Sequence, residues 1–230
     1  MSQPNNHLLA ALPQRDRKRL VSICEAIDFA PGDVLSEAGE SSRHIYLPTA
    51  GFASLLTLID GAPGLGVAMV GREGIVGAQL ALGVSTAPFR AVVQGHGAAW
   101  RVETEAFQSE LSKSIALQLG LKHYLYLLMS QLARSAACPH VHRIGPRLAR
   151  WLLMSQDHAH SDSFHVTHEF LAAMLGVRRV GITSAAGGLQ RKGFIQYHRG
   201  DLTVTERSGL RNAACSCYAA DRHAFTLRIR

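Results

Sequence analysis

The 230-residue chain is poor in charge and in aromatic side chains, with 18% Asp, Glu, Lys and Arg and 7% Phe, Trp and Tyr against 47% hydrophobic residues. That balance excludes disordered, collagen-like and disulfide-scaffold proteins. Long apolar runs are also missing, and none approaches the roughly 20 residues that a membrane-spanning helix requires. The opening stretch, MSQPNNHLLAALPQRDRKRL, lacks the basic-then-apolar order of a secretory signal. The expectation is a cytoplasmic protein with no membrane partner. Catalytic signatures are absent as well. There is no GxSxG, Walker A, GxGxxG or HExxH, and Ser109-Glu110-Leu111-Ser112 misses a Ser-x-x-Lys pattern. No catalytic residue is expected, and the chain is not read as an enzyme.

Cysteine is scarce. Cys24, Cys138, Cys215 and Cys217 follow no common ligand framework, and Cys215-Ser216-Cys217 has no matched second pair in the sequence. A cytoplasmic chain of this length folds without disulfide staples, so reduced thiols and no metal site are expected. A thiol metal or redox site built from Cys215, Cys217 and a histidine stands as the alternative.

What is abundant is positive charge, in one place. Residues 1–139 hold 11 basic and 11 acidic side chains; residues 140–230 hold 13 basic and 6 acidic ones, together with 8 of the 12 histidines. The whole formal +7 therefore lies in the last 91 residues. A neutral N-terminal part joined to a basic C-terminal part points to a sensing or assembly domain coupled to a polyanion-binding one.

The pattern along the chain agrees with that division. Leu20, Val21, Ile23 and Ala26 predict a helical face between Arg15 and Ala26, closed by Pro31-Gly32-Asp33. Short apolar runs then alternate with glycine-rich punctuation such as Thr49-Ala50-Gly51, Asp60-Gly61 and Gly95-His96-Gly97, which predicts a compact antiparallel sandwich or barrel up to about Arg101. After Val102 a long helical pattern begins. Leu117, Leu121, Leu125, Leu128 and Leu132 step by 4, 4, 3 and 4, close to the spacing of a coiled-coil seam, with Tyr124 and Met129 beside them. This stripe is read as a dimer helix rather than as a helix packed on its own sheet. Pro139 is expected to stop it, and Gly145-Pro146 to start the next. Thr167 is a candidate N-cap for a helix His168–Leu175 that Gly176 ends; a second helix runs from about Arg178 to Arg191. Phe194–Tyr197 and Leu202–Val204 are read as a hairpin, completing a winged helix-turn-helix.

The stretch THEFLAAMLGVRRVGITSAAGGLQRKGFIQYHRGDLTVTE resembles the DNA-binding domain of the CRP/FNR family of bacterial transcription regulators. The glycine-punctuated strands are similar to the family's cyclic-nucleotide-binding-type β-roll, and the leucine stripe to its dimer helix. The resemblance implies an α+β fold: a jelly-roll-like β-roll sensor over residues 1–111, a dimerisation helix over 112–138, a hinge over 139–145 and a winged helix-turn-helix over 146–230. It also implies a homodimer on double-stranded DNA, with RNA polymerase as a further partner. Arg179 stands at the family's base-reading arginine position, with Arg178 on base or phosphate; Thr183 and Ser184 lie a turn further on. Thr167, His168, Arg191, Lys192 and Arg199 are the phosphate-contact candidates. Val180 and Ser184 stand where the best-known family pattern has Glu and a second Arg, so the best-known operator is not expected.

The effector is not legible. The family's cyclic-nucleotide cassette pairs a Gly-Glu with a following Arg-Ser/Thr-Ala. Here Gly77 is followed by Ala78, and Phe89-Arg90-Ala91 carries the arginine one place late. Gly77, Arg90 and Tyr124 are the effector-site candidates in a cassette that looks degenerate. Only Cys24 precedes residue 138, which disfavours an N-terminal iron–sulfur cluster, and His44, His96 and His123 are candidate haem ligands. The small effector and any cofactor are left unknown. The competing readings are a haem-, metal- or redox-sensing regulator and a small-molecule-binding subunit without a DNA role.

Overall fold

The structure, a computed structural model, describes residues 6–59 and 64–227. The expected Asp60-Gly61 turn lies outside the described residues. The chain divides into two compact units, Met1–Leu58 with Met69–Leu128 and Ile59–Ala68 with Met129–Arg230.

The first unit opens on α1 (His7–Ala10), capped by the buried Asn6. The Asn6 side-chain oxygen accepts from the Leu8 and Leu9 amides, while its amide donates to the Pro48 and Gly74 carbonyls at 3.0 Å. Then come α2 (Gln14–Ser22) and β1 (Glu25–Phe29). The helix expected to reach Ala26 thus ends four residues early. Ile27 and Phe29 alternate with the polar Asp28, and Glu25–Phe29 pairs residue by residue with Gly97–Arg101; the strand ladder wins the segment.

Strands β2 (Val34–Ser36), β3 (His44–Ala50), β4 (Ala53–Thr57) and β5 (Leu65–Val70), a 3-10 turn (Ala78–Leu82), β6 (Arg90–Val93) and β7 (Gly97–Glu103) follow. They form two antiparallel sheets, ordered β1-β7-β3 and β2-β6-β4-β5, with Phe29, Val93 and Ala99 among the core side chains. The expected β-roll is therefore present. Gly97 is needed where β7 begins, because a Cβ there would lie 2.2 Å from the Ala50 carbonyl oxygen.

The long helical pattern resolves into α3 (Thr104–Lys113) and α4 (Ile115–Val141). The dimerisation helix was expected to start at residue 112. Ser114, extended at φ −122 and ψ 102, breaks it instead, because its Oγ accepts the Leu117 amide and donates to Asp16. Pro139 does not stop α4 at once. It removes one donor in the final turn, but the His142 amide still reaches the Cys138 carbonyl at 2.9 Å and closes that turn.

The rest of the second unit comprises α5 (Ile144–Ala159), β8 (Ser163–His165), α6 (His168–Leu175), α7 (Arg179–Arg191), β9 (Ile195–His198), β10 (Asp201–Val204), α8 (Arg207–Ala213) and α9 (Cys217–Leu227). Pro146 sits in the first turn of α5, as its spacing predicts. The hairpin gains β8 as a third strand, in the order β8-β10-β9. The C-terminal helices α8 and α9 were not anticipated.

Helix α9 is held by buried charge. The Asp221 carboxylate, 2% exposed, accepts from Arg134 Nε of α4 at 2.5 Å and from Arg150 Nε of α5 at 2.9 Å. Burial opposes the Arg150 charge, but Asp221 outweighs it and the guanidinium pKa is raised. At the surface, Asp157 binds Arg207 at 2.5 Å and Tyr218 at 2.8 Å. Asp221→Ala leaves two guanidiniums without their carboxylate, and a cost of roughly 3–5 kcal/mol is expected, read as a lower urea midpoint for the second unit. An unchanged midpoint would show that the triad is not a determinant of stability.

Candidate nucleic-acid interface

Helix α6 begins where Thr167 Oγ1 accepts the Phe170 amide at 3.1 Å, and ends at Gly176 in the left-handed region at φ 62. The turn through Val177 delivers the chain to α7, with Arg178 at its N-cap in extended backbone. At about 100° per residue, Ile182, Ala186 and Leu189 fall on one side of α7 and are buried. Arg179, Val180, Thr183, Ser184 and Arg191 fall on the other and are exposed, as are Arg178 and Lys192 at the two ends. Val180, an apolar residue, is 70% exposed. The structure thus brings the candidate base-reading residues together on one face, with Val180 among them.

One imidazole fixes this face to the wing. His168 stacks on Tyr197 of β9 with ring centroids 4.4 Å apart and planes 13° apart, and its Nδ1 lies 3.0 Å from Thr183 Oγ1. The Thr183 hydroxyl hydrogen goes to the Arg179 carbonyl, so Nδ1 is the donor and Nε2 carries the lone pair. Nε2 is buried without a hydrogen-bond partner. Tyr197 donates to the Val166 carbonyl at 2.9 Å. His168, a phosphate-contact candidate, is half-buried and bridges α6, α7 and β9. Arg199 turns the wing, with φ 49, and Gly200 follows at φ 96.

The other candidates lie elsewhere. Arg90 Nε, at the start of β6, is 3.4 Å from Glu37 Oε1, so the late arginine of the cassette already has a carboxylate. Gly77 adopts φ +104 ahead of the 3-10 turn, and Tyr124 is buried with its ring where a Cβ on Gly74 would stand. On α4, Leu117 and Leu121 are buried and Leu125, Leu128 and Leu132 half-buried, whereas Ile115, Leu119, Tyr126 and Met129 are exposed.

One cluster contains the alternative that the sequence offered, Cys215 and Cys217 with a histidine, and adds Cys138 to it. Cys138 and His142, near the end of α4, meet Cys215 and Cys217, near the start of α9, with the donor atoms all within 4.8 Å of one another. No sequence motif reveals a set split by 77 residues. Burial pushes the Cys215 thiol up to about 12, and Cys24 likewise to about 12, so neither is an activated nucleophile.

Comparison with known proteins supplies the class. The family model of the Crp-like helix-turn-helix domain matches residues 146–213. Among solved structures, the chain resembles FixK2 from Bradyrhizobium japonicum (TM-score 0.70, 11% identity, covering 84% of this chain and 98% of that one). It also resembles TTHA1359, a CRP/FNR-family transcriptional regulator from Thermus thermophilus (TM-score 0.68, 21% identity, 83% and 98%). A third is the c-di-GMP responsive global regulator CLP of Xanthomonas campestris (TM-score 0.67, 14% identity, 84% and 99%). No curated protein matches the sequence. Identities this low establish a shared fold, and the domain match identifies residues 146–213. The chain shares the fold of solved regulators of the CRP/FNR type. Its residues 146–213 are a Crp-like helix-turn-helix domain.

His168 also generates a pH dependence. Burial first, then the Arg179 charge, lowers its pKa below the ordinary value. The stability it contributes is present above the ordinary histidine pKa of about 6.5 and is lost as pH falls through the lowered one. Melting temperatures of the wild type and His168→Gln should therefore diverge least at the acid end. A difference that does not change with pH would refute this.

Proposed function

We propose that the chain is a homodimeric, sequence-specific DNA-binding transcription regulator in which α7 enters the major groove. The carrying observation is the exposed face of α7, where Arg178 and Arg179 flank the helix start and Val180, Thr183 and Ser184 share their side. Arg179 is assigned to a guanine, since arginine forks onto O6 and N7, and Val180 suits the methyl group of a thymine. Thr167, Arg191, Lys192 and Arg199 supply phosphate contacts, which add affinity and salt dependence without sequence preference. His168 acts at one remove, by placing Thr183.

The second copy is placed along α4. Its exposed apolar residues Leu119, Tyr126 and Met129 continue the half-buried Leu125, Leu128 and Leu132, while Leu117 and Leu121 back them from the core. Two α7 helices about 34 Å apart would then read successive half-sites. The effector domain is read as a β-roll with a degenerate cassette. Ala78 lacks the carboxylate that a ribose requires, and Arg90 faces Glu37. RNA polymerase is the further partner that such a regulator engages on DNA.

Arg179→Ala should cost roughly 1–3 kcal/mol on a specific site and relax preference at one base pair, measured by titrating labelled duplexes at two salt concentrations. Selectivity unchanged in that variant would remove Arg179 from base readout. Wild-type binding that ignores sequence and vanishes at moderate salt would reject the whole reading in favour of a subunit without a DNA role. Tyr126→Glu combined with Met129→Glu should yield monomers by sedimentation and abolish operator binding; a dimeric double variant would overturn the α4 interface.

A further inference from the structure

The second unit carries a donor set that DNA recognition does not use. Cys138 Sγ lies 3.6 Å from His142 Nδ1 and 3.7 Å from Cys215 Sγ, and His142 Nδ1 lies 3.8 Å from Cys217 Sγ. A tetrahedral zinc ion, with Zn–S about 2.3 Å and Zn–N about 2.0–2.1 Å, sets its ligands about 3.8 Å apart for two sulfurs and about 3.6 Å for sulfur and nitrogen. The three separations therefore have the lengths of the edges of a zinc tetrahedron. A disulfide would require sulfurs about 2.05 Å apart.

We propose that Cys138, His142, Cys215 and Cys217 bind one zinc-class divalent cation. The donor chemistry selects the metal: three thiolates and an imidazole suit a borderline-soft, redox-inert ion, and magnesium and calcium prefer oxygen. Binding releases three protons, one from each thiol, and leaves a site of net charge −1. Positive charge is at hand, since Arg147 and Arg150 stand close enough to Cys138 and Cys215 to interact electrostatically with them. All four ligands complete a closed shell with no open position, which is the arrangement of a structural rather than a catalytic zinc.

The backbone around the cluster is already tied. Cys138 and His142 are one helical turn apart, so their side chains project from the same side of the α4 terminus. The Cys215 amide donates to the Pro146 carbonyl at 3.2 Å, and its carbonyl accepts the Tyr218 amide at 3.0 Å, which places the Cys-x-Cys segment between the start of α5 and the first turn of α9. All four ligands lie outside the Crp-like domain match of residues 146–213, Cys138 and His142 before it and Cys215 and Cys217 in the segment after it. The metal would fasten that segment to the α4–α5 corner. This assignment stands on the cluster alone and does not depend on the DNA reading.

The full-length chain, reduced and freed of metal by a chelator, is titrated with cobalt(II) and then with zinc(II). One cobalt per chain is expected, with the thiolate charge-transfer band and intense visible bands of tetrahedral cobalt, displaced stoichiometrically by zinc. Zinc loading should raise the melting temperature and protect Cys138, Cys215 and Cys217 from a thiol reagent under denaturant-free conditions, leaving Cys24 as the one thiol whose slow reaction is unchanged by the metal. Cys217→Ser and His142→Gln, both at half-buried positions, should each weaken binding roughly 100-fold or more, beyond the 10–100-fold typical of outer-shell losses. Cys24→Ser should bind as the wild type does. Circular dichroism checks that each variant is folded, and His142→Gln alone is decisive if Cys217→Ser is not. An octahedral or absent cobalt spectrum would overturn the proposal. So would folded variants that bind like the wild type, or a Cys138–Cys215 disulfide whose reduction restores no cobalt uptake.

Discussion

The Asp221 carboxylate is the constraint on which the second unit depends. It sits 2% exposed between guanidiniums from α4 and α5, so α9 has one place to dock and both longer helices are held to it. An apolar side chain could fill the same volume with less desolvation cost, but it would not choose between neighbouring registers. A carboxylate with two fixed donors does choose. The Asp157, Tyr218 and Arg207 contacts extend the same arrangement toward solvent, where screening makes each of them worth less.

With α9 and α5 fixed, the remaining helices are placed mostly by local chemistry. Thr167 and Gly176 set the two ends of α6, and the buried arc of Ile182, Ala186 and Leu189 sets the rotation of α7. That rotation decides which residues face outward. A one-residue shift of the arc would turn Arg179 and Thr183 toward the core and leave the domain without its basic face.

Legibility from sequence followed the range of the interactions. The helix pair and hairpin were readable because caps, turn glycines and a 3.6-residue period act within a few positions, and Thr167, Gly176 and Gly200 carry them. The glycine-punctuated strands were readable for the same reason. What escaped was decided at a distance. Ala26 joined a strand because Trp100 stood opposite it, and the long helix broke at Ser114 because Asp16 was there to take its hydroxyl. The cysteine cluster was legible only in its Cys215 and Cys217 half, as the alternative to a metal-free chain, because Cys138 and His142 meet that half only after the chain has folded around α5. The leucine stripe was half legible: its period was visible, but not that Leu117 and Leu121 would be covered by their own chain while Tyr126 and Met129 stay exposed to solvent.

The His168 ring has a mechanical meaning. It lies flat on Tyr197 while its Nδ1 holds Thr183, so β9 and α7, already joined by the short segment 192–194, are pinned together a second time. A stacked ring pair and one hydrogen bond thus fix the tilt of the hairpin against α7. The hairpin and the exposed face of α7 are thereby held as one surface instead of two.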